Sequence, residues 1–303
     1  MINKFSVIIP SYNEGEWLKK TVLGVLENTD YPDFEIIVVA DGCTDDSLDF
    51  LQKGIPNVLL VELEESVGAA KARNMGAKVA TGDALVFIDS HMVPSQTDWL
   101  QELTVQLEDK KIGAATLKIP YLEEPDRVAF IYTLGDFALE PTWISPLNKA
   151  KIHNVPVIPG ACFAMRKELF VSTGGFDEGL HKWGREDLEY SLRLWRLGYD
   201  LSMSTKSGIA HSWERKRTFE ISWDEVDYNI LRISLTLLSD SWQKKVKDCL
   251  QKVRSANVIK FYRELENDQK FLSRKRDLEQ KFKRSFAEWE KTFSAMLPVL
   301  RKK

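Results

Sequence analysis

Four short apolar runs, separated by segments with helical spacing, dominate the first 90 residues of the chain. The runs are rich in Val and Ile and have the length of buried strands; they occupy residues 5–10, 35–40, 57–62 and 84–88. Segments with helical spacing, or in which a helix is expected to start, occupy residues 14–27, 47–52 and 68–80. Strands that alternate with helices are typical of a parallel sheet covered by helices on both faces. We therefore expect an α/β fold with a doubly wound, mostly parallel central sheet.

The rest of the chain divides into two parts of different composition. Residues 112–211 contain Gly, Pro and aromatic residues between strand-like runs, and we expect these runs to extend the sheet. From Trp223 onward glycine is absent and proline occurs only at Pro298, while charged and apolar residues alternate at helical spacing. This pattern predicts a C-terminal helical appendage of two or three long helices.

Charge is distributed unevenly along the chain. The net charge of −3 argues neither for nor against a nucleic-acid partner, and we expect none. Residues 241–303 carry 18 Lys and Arg against 8 Asp and Glu, so the remainder is acidic. A basic tail on an acidic body is typical of contact with an anionic partner or membrane surface, and a solvated helical face explains it equally well. Peripheral membrane contact or a homodimer through the tail therefore stays open.

Cysteine content and hydropathy bear on the compartment. Cys43, Cys162 and Cys249 show no metal-binding spacing and cannot all pair, as expected in a reducing compartment. No apolar run approaches the roughly 18 residues that a membrane span needs, and the N-terminus lacks the pattern of a signal peptide. We therefore expect a cytoplasmic protein, either free or peripheral to the inner face of the membrane.

Polar side chains follow the predicted strands, where ligands bind in this kind of sheet. Asp89 and His91 come directly after residues 84–88 and are two residues apart, so extended geometry directs both side chains to the same side. A carboxylate oxygen and an imidazole nitrogen suit Mn²⁺ or a similar divalent ion. The alternative is a loop aspartate that caps a turn beside a packed histidine.

Two further groups are candidates for donor binding, and each also has a structural explanation. Asp41 follows the second strand, where it is placed to accept a hydrogen bond from a nucleobase or to form an Asp-Gly turn. Gly68, Lys71 and Arg73 lie around a helix start, where backbone and cations face either phosphate or solvent.

Adjacent carboxylates and a histidine are candidates for catalysis and metal binding. Glu186 and Asp187 stand at the start of a predicted amphipathic helix, whose dipole favours their ionised form. One of them is placed to serve as a general base for a hydroxyl group, or both only cap the helix. His211 lies in a β-like segment ahead of the basic cluster ERKR; a single histidine usually has a structural role, but this cluster and the second histidine of the Asp-x-His motif favour a ligand role more than for a lone histidine.

Together these segments resemble family 2 glycosyltransferases of the GT-A fold, which is Rossmann-like. The resemblance covers residues 5–215. Its matching segments stand in their usual order and are VIIPSYNEGEWL, IIVVADGCTDDS, GAAKARNMGAKVATGDALVFIDS, PGACFAMRKELFVSTGGFDE and Trp-Gly-x-Glu-Asp. It implies a GT-A domain at residues 1–222, with a nucleotide-binding half at 5–91 and an acceptor half at 92–222, followed by a helical extension at 223–303.

The same resemblance assigns roles by position. The residues that it implies around the nucleoside of the donor are Pro10, Tyr12, Glu14 and Asp41. It places Lys71 and Arg73 near the base or the phosphates, and it makes Asp187, next to Glu186, the catalytic base.

The chain departs from the common family 2 pattern at the metal motif. Most members have Asp-x-Asp, whereas this chain has Asp89-Ser90-His91. That form resembles the polypeptide N-acetylgalactosaminyltransferases, as do KWGREDLEYSLRLW and IAHSWERKR. This second resemblance implies that His211 is a third metal ligand, that Ser90 touches the donor sugar and that Trp183 belongs to the donor site. It also implies Mn²⁺, or Mg²⁺, and a UDP-sugar donor.

The two resemblances disagree on stereochemistry. Family 2 enzymes invert with an Asp base, whereas the N-acetylgalactosaminyltransferases retain and have Asn where this chain has Asp187. Because Asp187 is present, we predict an inverting, metal-dependent transferase that moves a sugar to a saccharide or lipid-linked acceptor in polysaccharide or glycoconjugate synthesis. Two alternatives stay open: a peptide- or protein-modifying transferase, which would retain, and a catalytically silent member used as a binding module.

Overall fold

A ten-stranded sheet forms the centre of the structure. The computed structural model describes residues 2–254 and 257–300, and its strands are β1 (Phe5–Ser11), β2 (Phe34–Asp41), β3 (Val58–Leu63), β4 (Ala84–Ile88), β5 (Met92–Pro94), β6 (Ile112–Pro120), β7 (Val128–Ala129), β8 (Ile131–Leu134), β9 (Pro141–Ile144), β10 (Ile152–Asn154), β11 (Cys162–Arg166) and β12 (Asp200–His211). The α-helices are α1 (Glu16–Glu27), α2 (Ala69–Val79), α3 (Trp99–Leu107), α4 (Lys167–Ser172), α5 (Glu186–Arg196), α6 (Trp223–Leu237), α7 (Asp240–Val253), α8 (Val258–Asn267), α9 (Gln269–Glu279) and α10 (Phe286–Phe293). β8 and β9 form a separate ribbon. The expected α/β fold with C-terminal helices is confirmed.

The four predicted N-terminal strands pair side by side in the order β3-β2-β1-β4, all parallel. Their apolar runs are continuous because both faces of this part of the sheet are covered. Val7 and Ile9 enter the core cluster that contains Leu18 of α1, and Ile8 between them enters the opposite cluster, which contains Ala72 of α2.

The second predicted helix is only a 3-10 helix, Asp46–Leu51. Its start is fixed by Asp45, whose carboxylate accepts a hydrogen bond from the backbone N–H of Ser47 at 3.2 Å. Its end is fixed by Gly54, which has φ +71° and donates its N–H to the carbonyl of Leu51. Eight residues lie between Asp45 and Gly54, and six of them, Asp46–Leu51, are helical.

Beyond β4 the sheet is mixed, because β11 runs antiparallel to both β4 and β6 while β12 runs parallel to β6. The predicted extension of the sheet by strands from residues 112–211 is confirmed. β12 also pairs with β5, with His211 opposite Met92. The ends of β1, β2, β4 and β12 therefore meet at one edge of the sheet.

Five helices, α6 to α10, follow residue 222 in the described chain. The helical appendage is confirmed, but its helices are shorter and more numerous than expected because capping residues interrupt the pattern. The Asp268 carboxylate accepts two backbone N–H groups at the start of α9, and Ser285 forms a capping box with Glu288 at the start of α10. None of the described helices is both long enough and apolar enough to cross a membrane.

The appendage shares one hydrophobic core with the second half of the sheet domain. Leu188, Leu192 and Trp195 of α5 are buried in the same cluster as Trp242 of α7 and Trp289 of α10. Burial of each such side chain contributes about 1.5–3 kcal/mol. The domain limit at residue 222 stays a prediction, and the buried cluster extends across it.

Removal of residues 223–303 is expected to prevent stable folding. It would expose the apolar face of α5 and leave Asp177 buried without Arg232 and Arg274, its ionic partners in the appendage. We expect aggregation in size-exclusion chromatography and no cooperative thermal transition in circular dichroism. A monodisperse fragment 1–222 that melts cooperatively would contradict this and establish an independent domain.

Candidate active site

A cleft of about 730 Å³ opens at the sheet edge where β1, β2 and β4 end. The predicted site residues that line it are Pro10, Tyr12, Glu14, Asp41, Gly68, Arg73, Asp89, Ser90, His91, Trp183, Glu186, Asp187 and His211. Lys71 is not among the lining residues. Side chains two residues apart on an α-helix differ in direction by about 200°. Because Arg73 points into the cleft, Lys71 points away from it.

Three candidate metal ligands converge in the cleft. One ligand atom from each of Asp89, His91 and His211 lies within 4.8 Å of the other two. The Nε2 atoms of His91 and His211 are 3.1 Å apart, and Oδ2 of Asp89 is 3.8 Å from Nε2 of His211. The end of β4 supplies the first two residues and the end of β12 supplies the third.

The protonation of these groups suits a divalent cation. Burial lowers the pKa of His211, which favours the neutral ring. Burial opposes ionisation of Asp89, but the nearby His211, His91 and Arg73 hold the pKa of Asp89 well below its usual range. Two imidazole nitrogens that face each other at 3.1 Å share at most one proton. One carboxylate and two imidazoles are therefore a donor set that fits Mn²⁺.

Glu14 lies behind one of these histidines. One carboxylate oxygen is 3.5 Å from Nδ1 of His91, and the other is 2.9 Å from Nη2 of Arg215. A carboxylate in this place favours the tautomer in which Nε2 is free to bind a metal. The structure thus puts Glu14, which was expected around the nucleoside, against a candidate metal ligand.

The Asp41 carboxylate is occupied by the chain itself. It accepts the backbone N–H of Val67 at 2.6 Å and that of Gly68 at 3.0 Å, together with the hydroxyl of Ser66 at 2.9 Å. Gly68 has φ +93°, and a Cβ there would lie 2.4–2.8 Å from backbone atoms of Lys182. Asp41 therefore shapes the turn before α2 while it lines the cleft.

Arg73 is the buried cation of the cleft. Its Nη1 donates to Oε1 of Glu186 at 2.6 Å, and its Nη2 donates to Oδ1 of Asp89 at 3.2 Å and to the carbonyl of Gly160 at 3.1 Å. Burial opposes its charge, but Glu186 and Asp89 raise the pKa of Arg73. Its charge is thus balanced by protein carboxylates before any phosphate approaches.

The adjacent carboxylates at the start of α5 have different surroundings. Glu186 accepts hydrogen bonds from Arg73 and from the N–H of Gly184. Asp187 accepts the N–H of Gly160 at 2.9 Å. Burial, followed by the charge of Glu186, raises the pKa of Asp187 to about 6. A carboxylate with a pKa of about 6 is suited to proton transfer near neutral pH.

An aromatic wall, which the sequence analysis missed, lines one side of the cleft. The ring centroids of Tyr132 and Trp143 are 4.9 Å apart, and those of Trp143 and Trp213 are 6.0 Å apart. The β8–β9 ribbon brings the first two rings together. No local pattern distinguishes them from ordinary half-buried aromatic residues.

The segment after β12 returns across the cleft and was also missed. The Thr218 hydroxyl donates to the carbonyl of Tyr12 at 2.9 Å, and the Arg217 guanidinium lies 5.0 Å from the ring centroid of Trp183. The sequence signal was present as the basic cluster after His211, to which no site role was given.

Three curated relatives are similar to this chain over most of its length. A probable N-acetylgalactosaminyltransferase 8 of Caenorhabditis elegans is 28% identical over an alignment of 262 positions that covers 78% of this chain and 61% of the relative. Polypeptide N-acetylgalactosaminyltransferase 8 of Drosophila melanogaster is 31% identical over 81% of this chain and 44% of its own length. Polypeptide N-acetylgalactosaminyltransferase 5 of Rattus norvegicus is 28% identical over 68% of this chain and 24% of its own length. The chain thus spans about a quarter to three-fifths of these relatives.

Solved structures share the fold. The crystal structure of GalNAc-T7 with UDP, GalNAc and Mn²⁺ has a TM-score of 0.73 at 20% identity, with 97% of this chain and 57% of that chain covered. S. aureus TarS 1–349 in complex with UDP-GlcNAc has a TM-score of 0.60 at 20% identity, with 82% of this chain and 71% of that chain covered. The predicted GT-A fold is thereby confirmed.

Two family models match the chain itself. The model described as the N-terminal domain of galactosyltransferase matches residues 149–216. The model described as glycosyl transferase family 2 matches residues 6–173, more than half of the chain and the part that contains Asp89 and His91. The chain therefore belongs to glycosyl transferase family 2.

Proposed function

We propose that this protein is a metal-dependent glycosyltransferase that moves a sugar from a UDP-sugar to an acceptor hydroxyl. The observation that carries the proposal is the convergence of Asp89, His91 and His211 within 4.8 Å, in the cleft that Asp187 also lines. Such a transfer requires charge stabilisation at the leaving diphosphate and a base for the acceptor. Relatives named as N-acetylgalactosaminyltransferases and a neighbour with UDP, GalNAc and Mn²⁺ support a UDP-N-acetylhexosamine donor.

Asp89, His91 and His211 would hold the cation, Mn²⁺ or Mg²⁺. When bound, the cation offsets the charge that develops on the leaving diphosphate. Glu14 faces the outer nitrogen of His91 and Arg73 binds Asp89, so two of the ligands are oriented by the protein.

The donor is proposed to lie along the ends of β1 and β2. Pro10, Tyr12 and Asp41 would surround the nucleoside, and the bare backbone at Gly68 would allow its close approach. Ser90 and Trp183 are proposed to contact the sugar.

Arg217 is the cation proposed to face the diphosphate. Lys71 points away from the cleft, and Arg73 is already paired with two carboxylates. The guanidinium of Arg217 lines the cleft and lies 5.0 Å from the ring centroid of Trp183, where a phosphate would be a charged hydrogen-bond partner for it.

Asp187 is proposed as the general base, with Glu186 holding the helix start in place. Asp187 would take the proton of the acceptor hydroxyl. At the same time the oxygen of that hydroxyl would form a bond to the anomeric carbon, and the bond between the anomeric carbon and the UDP oxygen would break. Attack from the side opposite to the leaving group inverts the anomeric configuration.

A peptide acceptor is the second candidate. It is supported by the relatives named as polypeptide transferases and by the wall of Tyr132, Trp143 and Trp213, which offers apolar surface beside the base. A saccharide or lipid-linked acceptor would use the same wall for stacking against sugar rings.

Membrane contact or dimerisation through the basic tail stays a proposal. Trp242 and Trp289 of the tail helices are already buried inside the molecule, whereas Val253 and Ile259 are exposed. Either contact would therefore use the charged surface of the tail together with these exposed apolar side chains.

Replacement of either histidine is expected to weaken metal binding severely. His91→Ala and His211→Ala each remove a ligand, so the Mn²⁺ dissociation constant should rise by more than the roughly 10- to 100-fold that loss of an outer-shell partner costs. Isothermal titration calorimetry measures this directly. His153→Ala, on β10 outside the cleft, is the control and should bind Mn²⁺ as the wild type does. Unchanged binding in both site variants would refute the assignment.

Activity is expected to depend on the ionisation of Asp187. Because its pKa is raised to about 6, kcat/KM should rise as the pH increases through 6 and should be lost on acidification below it. Asp187→Asn should lower kcat by about 10²- to 10⁴-fold without weakening UDP binding. Initial rates across this pH range measure both effects, with Asp98→Asn, outside the cleft, as the control. A fully active Asp187→Asn variant would exclude Asp187 as the base.

A donor and acceptor screen tests the proposed function as a whole. With Mn²⁺, UDP-sugars and saccharide, lipid-linked or peptide acceptors, we expect acceptor-dependent release of UDP, greatest with a UDP-N-acetylhexosamine. NMR of the first-formed product should show an inverted anomeric configuration. A retained configuration would exclude the base mechanism, and absence of both UDP binding and UDP release with every donor would exclude a transferase.

A further inference from the structure

A short loop connects the two sides of the cleft. Residues 181–184 lead directly into α5, and Lys182, Trp183 and Gly184 line the cleft. Gly184 has φ +104°, and its N–H donates to the carboxylate of Glu186 at 3.0 Å. The position of this loop therefore sets where Trp183 lies and how α5 begins.

One side of the loop rests on the turn before α2. The carbonyl of Lys182 accepts the N–H of Ala69 at 2.8 Å, and its side chain donates to the carbonyl of Ser66 at 2.6 Å. Lack of a side chain at Gly68 is what allows this approach. The same turn is held by Asp41, so the loop touches the part of the cleft proposed for the nucleoside.

The other side of the loop packs against α6 of the C-terminal appendage, where one side chain makes several hydrogen bonds to it. Asn229, on α6, is fully buried. Its Oδ1 accepts the N–H of His181 at 2.7 Å, and its Nδ2 donates to the carbonyls of His181 and Gly184, each at 3.0 Å. One amide group thus binds both ends of the loop. The ring of Tyr228, the preceding residue, stacks on His181 with centroids 3.9 Å apart.

We infer that Asn229 is a positioning residue for the donor side of the cleft and that it acts through the loop of residues 181–184. This inference rests on the proposed function, since it concerns the donor of that reaction. It also gives the appendage a role in the site, because the loop that presents Trp183 is fixed from outside the sheet domain.

An amide is the group that this position requires. The loop offers one donor and three acceptors to the side chain, of which the carbonyl of Trp183 is the most distant at 3.5 Å, and an asparagine amide supplies one acceptor and two N–H donors. In Asn229→Asp the shape is kept, but these carbonyls face a carboxylate. In Asn229→Ala all of these backbone groups lose their partner in a buried place.

The control lies on the same helix. Thr236 is buried, and its hydroxyl donates to the carbonyl of Arg232 within α6. Thr236→Ala therefore removes a buried hydrogen bond from α6 without touching the loop. It separates an effect on the loop from a general loss of stability.

Hydrogen exchange of the loop is the first measurement, and it does not depend on enzymatic activity. Asn229→Asp and Asn229→Ala should speed exchange of the amides at residues 181–184 by about tenfold or more, the factor expected for one lost buried hydrogen bond. Thr236→Ala should leave them as in the wild type. Unchanged exchange in both Asn229 variants, or an equal increase in the control, would overturn the inference.

Ligand binding is the second measurement. The full-length Asn229→Asp variant should bind Mn²⁺ alone with the wild-type dissociation constant, because Asp89, His91 and His211 do not touch the loop. Its dissociation constant for UDP with Mn²⁺ should rise about tenfold, and the KM for the donor should rise more than kcat falls. Wild-type UDP binding in a variant with a loosened loop would refute the positioning role. Failure of the wild type to bind UDP would instead refute the proposed function, while hydrogen exchange would still test the loop.

Discussion

The rest of the site depends on the contacts of the Arg73 guanidinium, which is buried between two carboxylates. It joins Glu186 at the start of α5 to Asp89 at the end of β4, and it also binds the carbonyl of Gly160. A buried charge of either sign without its partner would cost several kcal/mol. The two halves of the cleft therefore have to assemble around this cation, and Asp89 stays ionised as a metal ligand must.

The different roles of Glu186 and Asp187 follow from the contact between Arg73 and Glu186. The carboxylate of Glu186 accepts hydrogen bonds from Arg73 and from the N–H of Gly184, so its role is structural. Asp187, next to it, accepts the backbone N–H groups of Gly160 and Leu188, and burial, followed by the charge of Glu186, raises the pKa of Asp187. Adjacent residues of the same chemistry thus have separate duties because one lies beside a cation.

The parts of the site that stand at strand ends were predictable, since parallel strands bring their ends to one edge whatever the details of packing. This holds for Asp89 and His91. The four apolar runs, alternating with helical segments, predicted the N-terminal half of the sheet. Contacts made by remote partners were not predictable. Glu14 was expected beside the nucleoside of the donor and lies instead against His91, and Asn229 lies 48 residues from the loop residue that it binds. Helix lengths in the appendage depend on individual caps, which an averaged pattern does not resolve.

The pairing of β12 with β5 links the metal site to the completion of the fold. His211 lies opposite Met92, and 120 residues separate it from His91, whose ring it meets. A slip of one residue along β12 would turn His211 to the other face of the sheet. The ligand triad exists only in a chain whose long-range strand has found its native register. A metal ion at this place would therefore bind chains in which β12 is correctly paired and would not bind chains in which its register is shifted. Metal binding would in this way stabilise only the correctly folded sheet.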